Sequence, residues 1–205
     1  MLNSKGFDLW ADGYDRAVGL SDEDNTYPFA GYKNVLGAIY AAVLGRGCRC
    51  VLDIGFGTGV LTARLYAAGC TVTGVDFSPR MIAIAREKMP DALLLQHDFS
   101  AGLPAQLQGA EFDAIVCTYA IHHLTDGQKV TFLRELQEHL RPDGAIYIGD
   151  IAFADRTALD ACRLACGDEW DDDEIYIAAD ELQKVFPAAR FEKISHCAGV
   201  ITIEK

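Results

Sequence analysis

The sequence lacks any uninterrupted apolar run of about 18 residues, the length that a membrane-spanning helix needs. The N-terminal segment MLNSKGFDLWADGYD also lacks the apolar stretch of a signal peptide. These two absences predict a cytoplasmic protein without a membrane partner. No low-complexity linker or internal repeat divides the chain.

Basic residues are few. Lysine and arginine number 18 against 30 aspartates and glutamates, which gives a formal net charge of −12. Affinity for nucleic acid depends largely on lysine and arginine side chains that neutralise phosphates. No basic cluster offsets the negative total, so we expect no nucleic-acid partner. The favoured partner is a small molecule, and the chain is expected to act as a monomer or a homodimer.

Cysteines at metal-binding spacings are missing as well. Cys48 and Cys50 have no second pair at zinc-site spacing, and Cys162 and Cys166 have no histidine nearby. The odd total of seven cysteines, without a secretion signal, indicates reduced thiols. We therefore expect no metal at these residues and interpret them as small buried side chains.

The sequence does contain a regular alternation of short apolar runs and amphipathic segments. Short apolar runs are typical of buried parallel strands, and the helices between such strands cover both faces of the sheet. The alternation predicts a Rossmann-like, doubly wound α/β fold with a seven-stranded, mostly parallel sheet. The predicted strands are 50–54, 71–76, 92–96, 112–118, 145–150, 189–196 and 200–205, and the predicted helices are 30–44, 60–69, 78–89, 125–140, 156–166 and 179–186.

The 205 residues suffice for one substantial domain, which we expect to span 1–205. Residues 1–47 are predicted to form an N-terminal helical cap, 48–150 a ligand-binding core, and 151–205 a substrate-side segment. This last part is expected to end in an antiparallel hairpin that turns at Ala198-Gly199. A second turn is expected at Asp143-Gly144, before strand 145–150.

The segment VLDIGFGTG at 51–59 places three glycines between a strand and a helix. Without Cβ atoms, these glycines let the backbone turn tightly and approach a ligand at the positive end of the helix dipole. The dinucleotide fingerprint G-x-G-x-x-G needs a glycine at position 60, where this chain has Val60. Asp53, two residues before Gly55, is a poor neighbour for a pyrophosphate. A nicotinamide-dependent oxidoreductase is therefore the less favoured function.

Three aspartates follow consecutive strands of the predicted sheet. Asp53 is a good neighbour for a cation, and Asp76 lies 21 residues after Gly55, where an acid accepts from ribose hydroxyls. Asp98 follows the third strand and could accept from an adenine amino group. Each aspartate taken singly could be an ordinary turn or cap residue. Together they predict a ligand with a ribose, an adenine and a positive charge.

These residues resemble the motifs of class I S-adenosylmethionine-dependent methyltransferases. VLDIGFGTG is similar to the first motif, TVTGVD to the second, QHDF to the third, FDAIVCTYAIHHL to the fourth and LRPDGAIYIGD to the fifth. FDLWADGYD, FAGYKNVL and the C-terminal EL-x-x-x-F segment resemble a subset of uncharacterised bacterial members of small-molecule type. The resemblance implies methyl transfer from S-adenosylmethionine to a small-molecule acceptor by in-line displacement, with S-adenosylhomocysteine as product.

The resemblance also implies which residues bind the cofactor. The loop from Gly55 to Gly59 would hold the methionine part, Asp76 the ribose hydroxyls, and Asp98 with Phe99 the adenine. Tyr14 and Tyr32 would reach the cofactor from the cap, although both could instead pack between the cap and the sheet. The full implied set is Tyr14, Tyr32, Asp53, Gly55, Phe56, Gly57, Thr58, Gly59, Asp76, Phe77, Met81, Asp98, Phe99, Thr118 and Tyr119.

The segment TYAIHHLTD at 118–126 carries His122 and His123, which are the candidate catalytic residues. Either imidazole could act as a base or polar contact for the acceptor, or simply fix the loop by hydrogen bonds. A metal site with Asp126 is disfavoured, because adjacent side chains diverge and Asp126 suits the first turn of the next helix. Thr125 is its expected N-cap.

The acidic segment DEWDDDE at 168–174 has two interpretations. Most runs of charge are solvated surface. Alternatively, Trp170, Asp173, Glu174 and Tyr176 line the acceptor pocket, and the acids favour a cationic or amine-bearing acceptor.

A sulfonium is already an activated methyl donor, so transfer requires mainly that the acceptor be held in line and away from water. No catalytic residue is obligatory. A protein that binds S-adenosylmethionine or S-adenosylhomocysteine without catalysis therefore remains an alternative.

Overall fold

A computed structural model describes residues 21–205. Tyr14, with the rest of residues 1–20 of the predicted N-terminal cap, lies outside the described residues. The α-helices are α1 Tyr32–Gly45, α2 Val60–Ala67, α3 Pro79–Lys88, α4 Asp126–Glu138, α5 Arg156–Cys166 and α6 Ala179–Val185. The strands are β1 Cys50–Ile54, β2 Thr71–Asp76, β3 Leu93–Gln96, β4 Phe112–Thr118, β5 Leu140–Phe153, β6 Ile177–Ala178, β7 Arg190–Lys193 and β8 Ala198–Glu204.

Side-chain caps determine where several helices begin. The hydroxyl of Ser78 accepts from the Met81 N–H at 3.2 Å, with Pro79 at the first position of α3. Thr125 and Gln128 form a reciprocal capping box at the start of α4. The carboxylate of Asp155 accepts from the Ala158 N–H and begins α5.

The strands form one sheet in the order β3-β2-β1-β4-β5-β8-β7. Strands β1 to β5 are parallel, and β8 runs antiparallel between β5 and β7. The chain leaves β1 towards β2 on one side and later returns to place β4 on the other side. A crevice at the carboxyl ends of the strands is expected at such a switch point. The predicted fold class, an α/β sheet with an antiparallel C-terminal hairpin, is confirmed.

Two details of the sheet differ from the predictions. The expected turn at Asp143-Gly144 is wrong, because β5 runs continuously through it with a bulge, and Asp143 adopts a positive φ of 65°. The expected hairpin turn at Ala198-Gly199 is also wrong, because both residues belong to β8 and the turn is at 194–197. The two-residue strand β6, paired with the end of β5, was not predicted.

The apolar core lies on both faces of the sheet. Alternate side chains of the central strands point to opposite faces, so Val51 and Val116 pack with Val35 and Ile39 of α1. Leu52 and Ile115, one residue away in each strand, pack on the other face with Phe132, Leu133 and Leu136 of α4. Among residues 21–205, no helix is long and apolar enough to cross a membrane.

Candidate functional site

The main cavity opens at the carboxyl ends of β1, β2 and β4, on the crevice that the strand order creates. Its open volume, which includes space continuous with bulk solvent, is about 660 Å³. The lining residues are Tyr32, Gly55, Phe56, Gly57, Thr58, Val60, Leu61, Asp76, Phe77, Met81, Phe99, Thr118, Tyr119, Ala120 and His123.

The glycine loop between β1 and α2 forms one wall of this cavity. Gly55, Gly57 and Gly59 all have positive φ, between 57° and 80°, a region that side-chain-bearing residues rarely adopt. A Cβ at Gly55 would lie 2.5 Å from the Cβ of Ala120, so this glycine allows the loop to pack against the segment after β4. A Cβ at Gly57 would meet no described atom within 4 Å. Gly57 thus keeps the wall open.

Asp76, the last residue of β2, supplies the buried carboxylate of the cavity. One of its oxygens accepts from the Gly57 N–H and the other from the Ser78 N–H, both at 2.8 Å. The same side chain therefore lines the cavity and holds the glycine loop in place. A carboxylate oxygen can accept more than one hydrogen bond, so a carboxylate at this position is a suitable partner for ligand hydroxyl groups.

The other two strand-end aspartates are placed differently. Asp53 is buried beneath the loop, where one oxygen accepts from the Thr62 hydroxyl and the other has no partner among the described residues. Burial raises the pKa of Asp53 to about 7. Asp98 is exposed and caps the short helix Phe99–Ala101 by accepting from the Ser100 N–H. Neither aspartate is among the lining residues, and neither is Gly59.

Aromatic side chains cover the cavity from the α1 side. The ring of Tyr32 lies 5.0 Å from that of Tyr119, and Phe29 lies 5.5 Å from Tyr119. Tyr119 itself has φ of 48°, and such strained backbone is often found at functional sites. Val60, Leu61 and Ala120 were missed as lining residues. Val60 and Ala120 directly follow the predicted residues Gly59 and Tyr119, and Leu61 follows Val60, so proximity along the chain was the available signal.

The two histidines after β4 face different surroundings. His123 lines the main cavity, whereas His122 is buried and its Nδ1–H donates to Asp150 Oδ1 at 2.7 Å. Burial favours a lower pKa for His122, but the carboxylates of Asp150 and Glu174 outweigh burial and raise it. Burial and the neighbouring His122 lower the pKa of His123 to about 4. His123 is therefore neutral at pH 7.

Glu174 is the member of the acidic segment that turns inwards. Its Oε1 lies 3.4 Å from His122 Nε2, and its Oε2 accepts from the Tyr176 hydroxyl at 2.7 Å. The remaining aspartates, Asp171 to Asp173, are exposed. Asp126 pairs with Lys129 at 3.3 Å, at the start of α4.

A second cavity, with an open volume of about 620 Å³, lies on the other side of Glu174. Its walls come from α5 and from the segment between α5 and β6. Of the four residues predicted to line an acceptor pocket, Trp170, Glu174 and Tyr176 line this cavity and Asp173 does not. The other lining residues are Arg156, Leu159, Arg163, Asp172 and Ile175.

Comparisons with known proteins connect this architecture to one family. A family model described as a methyltransferase domain matches residues 51–144. An uncharacterised methyltransferase of Anoxybacillus flavithermus is 37% identical over 155 residues, which cover 76% of this chain and 70% of the relative.

Solved structures agree on the fold. An S-adenosylmethionine-dependent methyltransferase from Clostridium acetobutylicum superimposes with a TM-score of 0.70 at 15% identity, covering 93% of this chain and 98% of its own. Magnesium protoporphyrin IX methyltransferase from Synechocystis, with bound S-adenosylhomocysteine, superimposes with a TM-score of 0.67 at 16% identity. The superposition covers 86% of this chain and 84% of that protein. This chain belongs to the class I family of S-adenosylmethionine-dependent methyltransferases.

Proposed function

We propose that this protein transfers a methyl group from S-adenosylmethionine to a small-molecule acceptor. The observation that carries the proposal is the main cavity at the switch point of the sheet, with the Asp76 carboxylate in its wall. When bound, S-adenosylmethionine supplies an activated methyl group on a sulfonium. The protein then has to bind it, orient the acceptor and exclude water.

The chemistry of the cavity fits this cofactor. Asp76 is an acceptor for the two ribose hydroxyls, and Gly57 leaves open space beside it. Phe77, Met81 and Phe99 offer the flat apolar contacts that an adenine ring needs. The remaining residues proposed to contact the cofactor are Gly55, Phe56, Thr58, Thr118, Tyr119 and Tyr32. Asp53, Gly59 and Asp98 are assigned no direct contact, because they support the loop or cap a helix instead.

The acceptor is proposed to enter from the second cavity, which His122, His123 and Glu174 separate from the main one. Glu174 lines the second cavity and His123 lines the first, while His122 contacts both residues. The second cavity is lined by both aromatic and charged side chains, as small-molecule sites commonly are. The net charge of −12 also disfavours a nucleic-acid acceptor. The whole chain, 1–205, is proposed to act as one domain.

Calorimetric titration with S-adenosylmethionine, S-adenosylhomocysteine and NAD tests the cofactor assignment. The first two ligands should bind and NAD should not. Asp76→Asn should weaken binding by about 1–3 kcal/mol, or about 5- to 150-fold in Kd, because it removes the charged acceptor. The matched control is Asp91→Asn, an exposed aspartate that accepts from Tyr66 at the opposite end of the strands. Equal affinities of the Asp76 and Asp91 variants would contradict the assignment.

Turnover separates an enzyme from a protein that only binds the cofactor. Formation of S-adenosylhomocysteine should be measured over a panel of small hydroxylated, amine and thiol compounds. Product formed only in the presence of one of these compounds supports methyl transfer. Tight S-adenosylhomocysteine binding without turnover over a broad panel would favour the non-catalytic alternative.

A further inference from the structure

His122, His123 and Glu174 bring three metal-ligating groups together outside the proposed cofactor contacts. One ligand atom from each residue lies within 4.8 Å of the other two. The ring centroids of the two histidines are 4.2 Å apart, which shows that these adjacent side chains do not diverge here. The short helix Ile121–His123 carries both histidines, and their rings meet edge to face at 70°.

The pairing of His122 with Asp150 sets the state of the imidazole. A carboxylate only accepts, so the bond from Nδ1 to Asp150 Oδ1 places the proton on Nδ1. In the neutral ring, the lone pair of Nε2 then points towards Glu174 Oε1, which is also an acceptor. Two facing acceptors require a cation between them, either a proton or a metal ion. A carboxylate behind a histidine is also the usual support of a metal ligand.

The separation between His122 and Glu174 suits a metal ion better than a direct hydrogen bond, and a ligand atom of His123 lies within 4.8 Å of both. The separation of 3.4 Å between Nε2 and Oε1 exceeds the normal hydrogen-bond range. Zinc bonds of about 2.0–2.1 Å to nitrogen and oxygen give a tetrahedral ligand-to-ligand edge of about 3.3 Å. Glu174 is held by the Tyr176 hydroxyl, and the Ile175 N–H donates to the His122 carbonyl at 2.9 Å. The two ligand-bearing segments are therefore tied together.

A buried lysine reinforces this tie. Lys129 donates to the carbonyls of Leu124 and Ile175 at 2.7 and 2.6 Å, so it joins the segment after the histidines to the segment after Glu174. Its positive charge would oppose a cation nearby, but Asp126 pairs with it at 3.3 Å. Asp150 and Glu174 keep the surroundings of the histidines negative.

We propose that His122, His123 and Glu174 bind one divalent transition-metal ion, with zinc as the best fit, between the two cavities. Two imidazoles and one carboxylate are typical zinc ligands, and three protein ligands leave a fourth position open. His123 and Glu174 give access from the main and the second cavity respectively. The site itself is independent of methyl transfer. If the proposed function holds, the open position would bind the acceptor, and a bound metal would lower the pKa of the acceptor's ionisable group, so that its proton passes to solvent water before methyl transfer.

Metal binding is tested directly on the full chain, stripped with a chelator and titrated with Zn²⁺ against a chromogenic competitor. The wild type should bind one Zn²⁺ per chain. Glu174→Gln and His123→Ala should each weaken binding at least about tenfold, since they remove a ligand. Asp150→Asn should weaken it by about 10- to 100-fold through loss of the supporting bond. The controls are Glu169→Gln in the same acidic segment and His196→Ala, both exposed, which should bind as the wild type.

Co²⁺ substitution identifies the ligands. Tetrahedral nitrogen and oxygen ligands give visible d–d bands without the thiolate charge-transfer band that cysteines would produce. Absence of Zn²⁺ binding, equal binding by Glu174→Gln, or a thiolate band would each overturn the proposal. His122→Ala removes a buried ring, so the partly exposed Glu174 variant, checked by circular dichroism, is the decisive one. Titration of the stripped protein with S-adenosylhomocysteine reports separately on the cofactor site.

Discussion

At the scale of single residues, Asp53 illustrates how burial changes the role of a carboxylate. Its pKa of about 7 in the folded state lies well above the ordinary value near 3.8. The unfolded chain therefore loses this proton at lower pH than the folded protein does. Below about pH 4, Asp53 is protonated in both states and does not change the free energy of unfolding. That free energy falls as the pH rises from about 4 to 7, because only the unfolded chain has lost the proton. Above about pH 7, Asp53 is ionised in both states and causes no further change. The total loss in free energy of unfolding from this shift is on the order of 4 kcal/mol.

Asp53→Asn should remove this pH dependence, because an amide does not ionise and can still accept from the Thr62 hydroxyl. Urea unfolding at pH 5 and pH 8 measures the free-energy difference between variant and wild type. From about pH 5 to pH 8, the free energy of unfolding of the variant should rise by about 2–3 kcal/mol relative to that of the wild type. A difference that stays constant would show that Asp53 is ionised throughout.

The sequence pattern predicted the location of the residues near the crevice more accurately than it predicted the role of each side chain. Asp53, Asp76 and Asp98 all follow strands at the same edge of the sheet, so their neighbourhood was predictable. Their roles depend on Thr62, Gly57 and Ser100 respectively, which no periodicity identifies. The same holds for His122, whose partner Glu174 lies 52 positions later in an acidic segment typical of solvated surface.

At the scale of elements, helix α4 depends on its capping box. The Thr125 hydroxyl accepts from the Gln128 N–H at 3.3 Å, and the Gln128 side chain accepts from the Thr125 N–H at 2.9 Å. Thr125→Ala should lower the free energy of unfolding by about 0.5–2 kcal/mol, measured by urea denaturation. The control is Thr131→Ala on the exposed face of the same helix, where the expected change is within about 0.5 kcal/mol. Equal losses in both variants would show that the capping bonds of Thr125 contribute nothing specific to the stability of the helix.

Element boundaries were predictable where turn chemistry and pattern agree, as at β1, β2 and β4, whose bounds match the predictions. The hairpin turn was mispredicted because Gly199 resembles a turn residue. In the structure it is a strand residue, and a Cβ there would lie 2.4 Å from the Phe191 ring on β7. Close approach between strands, rather than a turn, requires this glycine. Such tertiary contacts are not visible in local sequence.

At the scale of the whole molecule, the main cavity joins parts of the chain that are distant in sequence. Its walls run from Tyr32 in α1 through the glycine loop and the end of β2 to His123 after β4. The family resemblance predicted this convergence, because the motif order implies the sheet order. The second cavity and the contact between Glu174 and His122 were only partly predictable, since the segment after α5 has no such motif.

Because the cavity walls come from the sheet and from α1 together, a bound ligand should stabilise the domain as a unit. S-adenosylhomocysteine at about 100 times its Kd should raise the free energy of unfolding by about 2.7 kcal/mol. Each further tenfold increase in its concentration should add about 1.4 kcal/mol. In a domain of this size, that first gain corresponds to about 5–10 °C in Tm. Asp76→Asn, at the same ligand concentrations, should gain less, and NAD should give no shift. A rise of equal size in both proteins would mean that the ligand stabilises the fold without contacting Asp76.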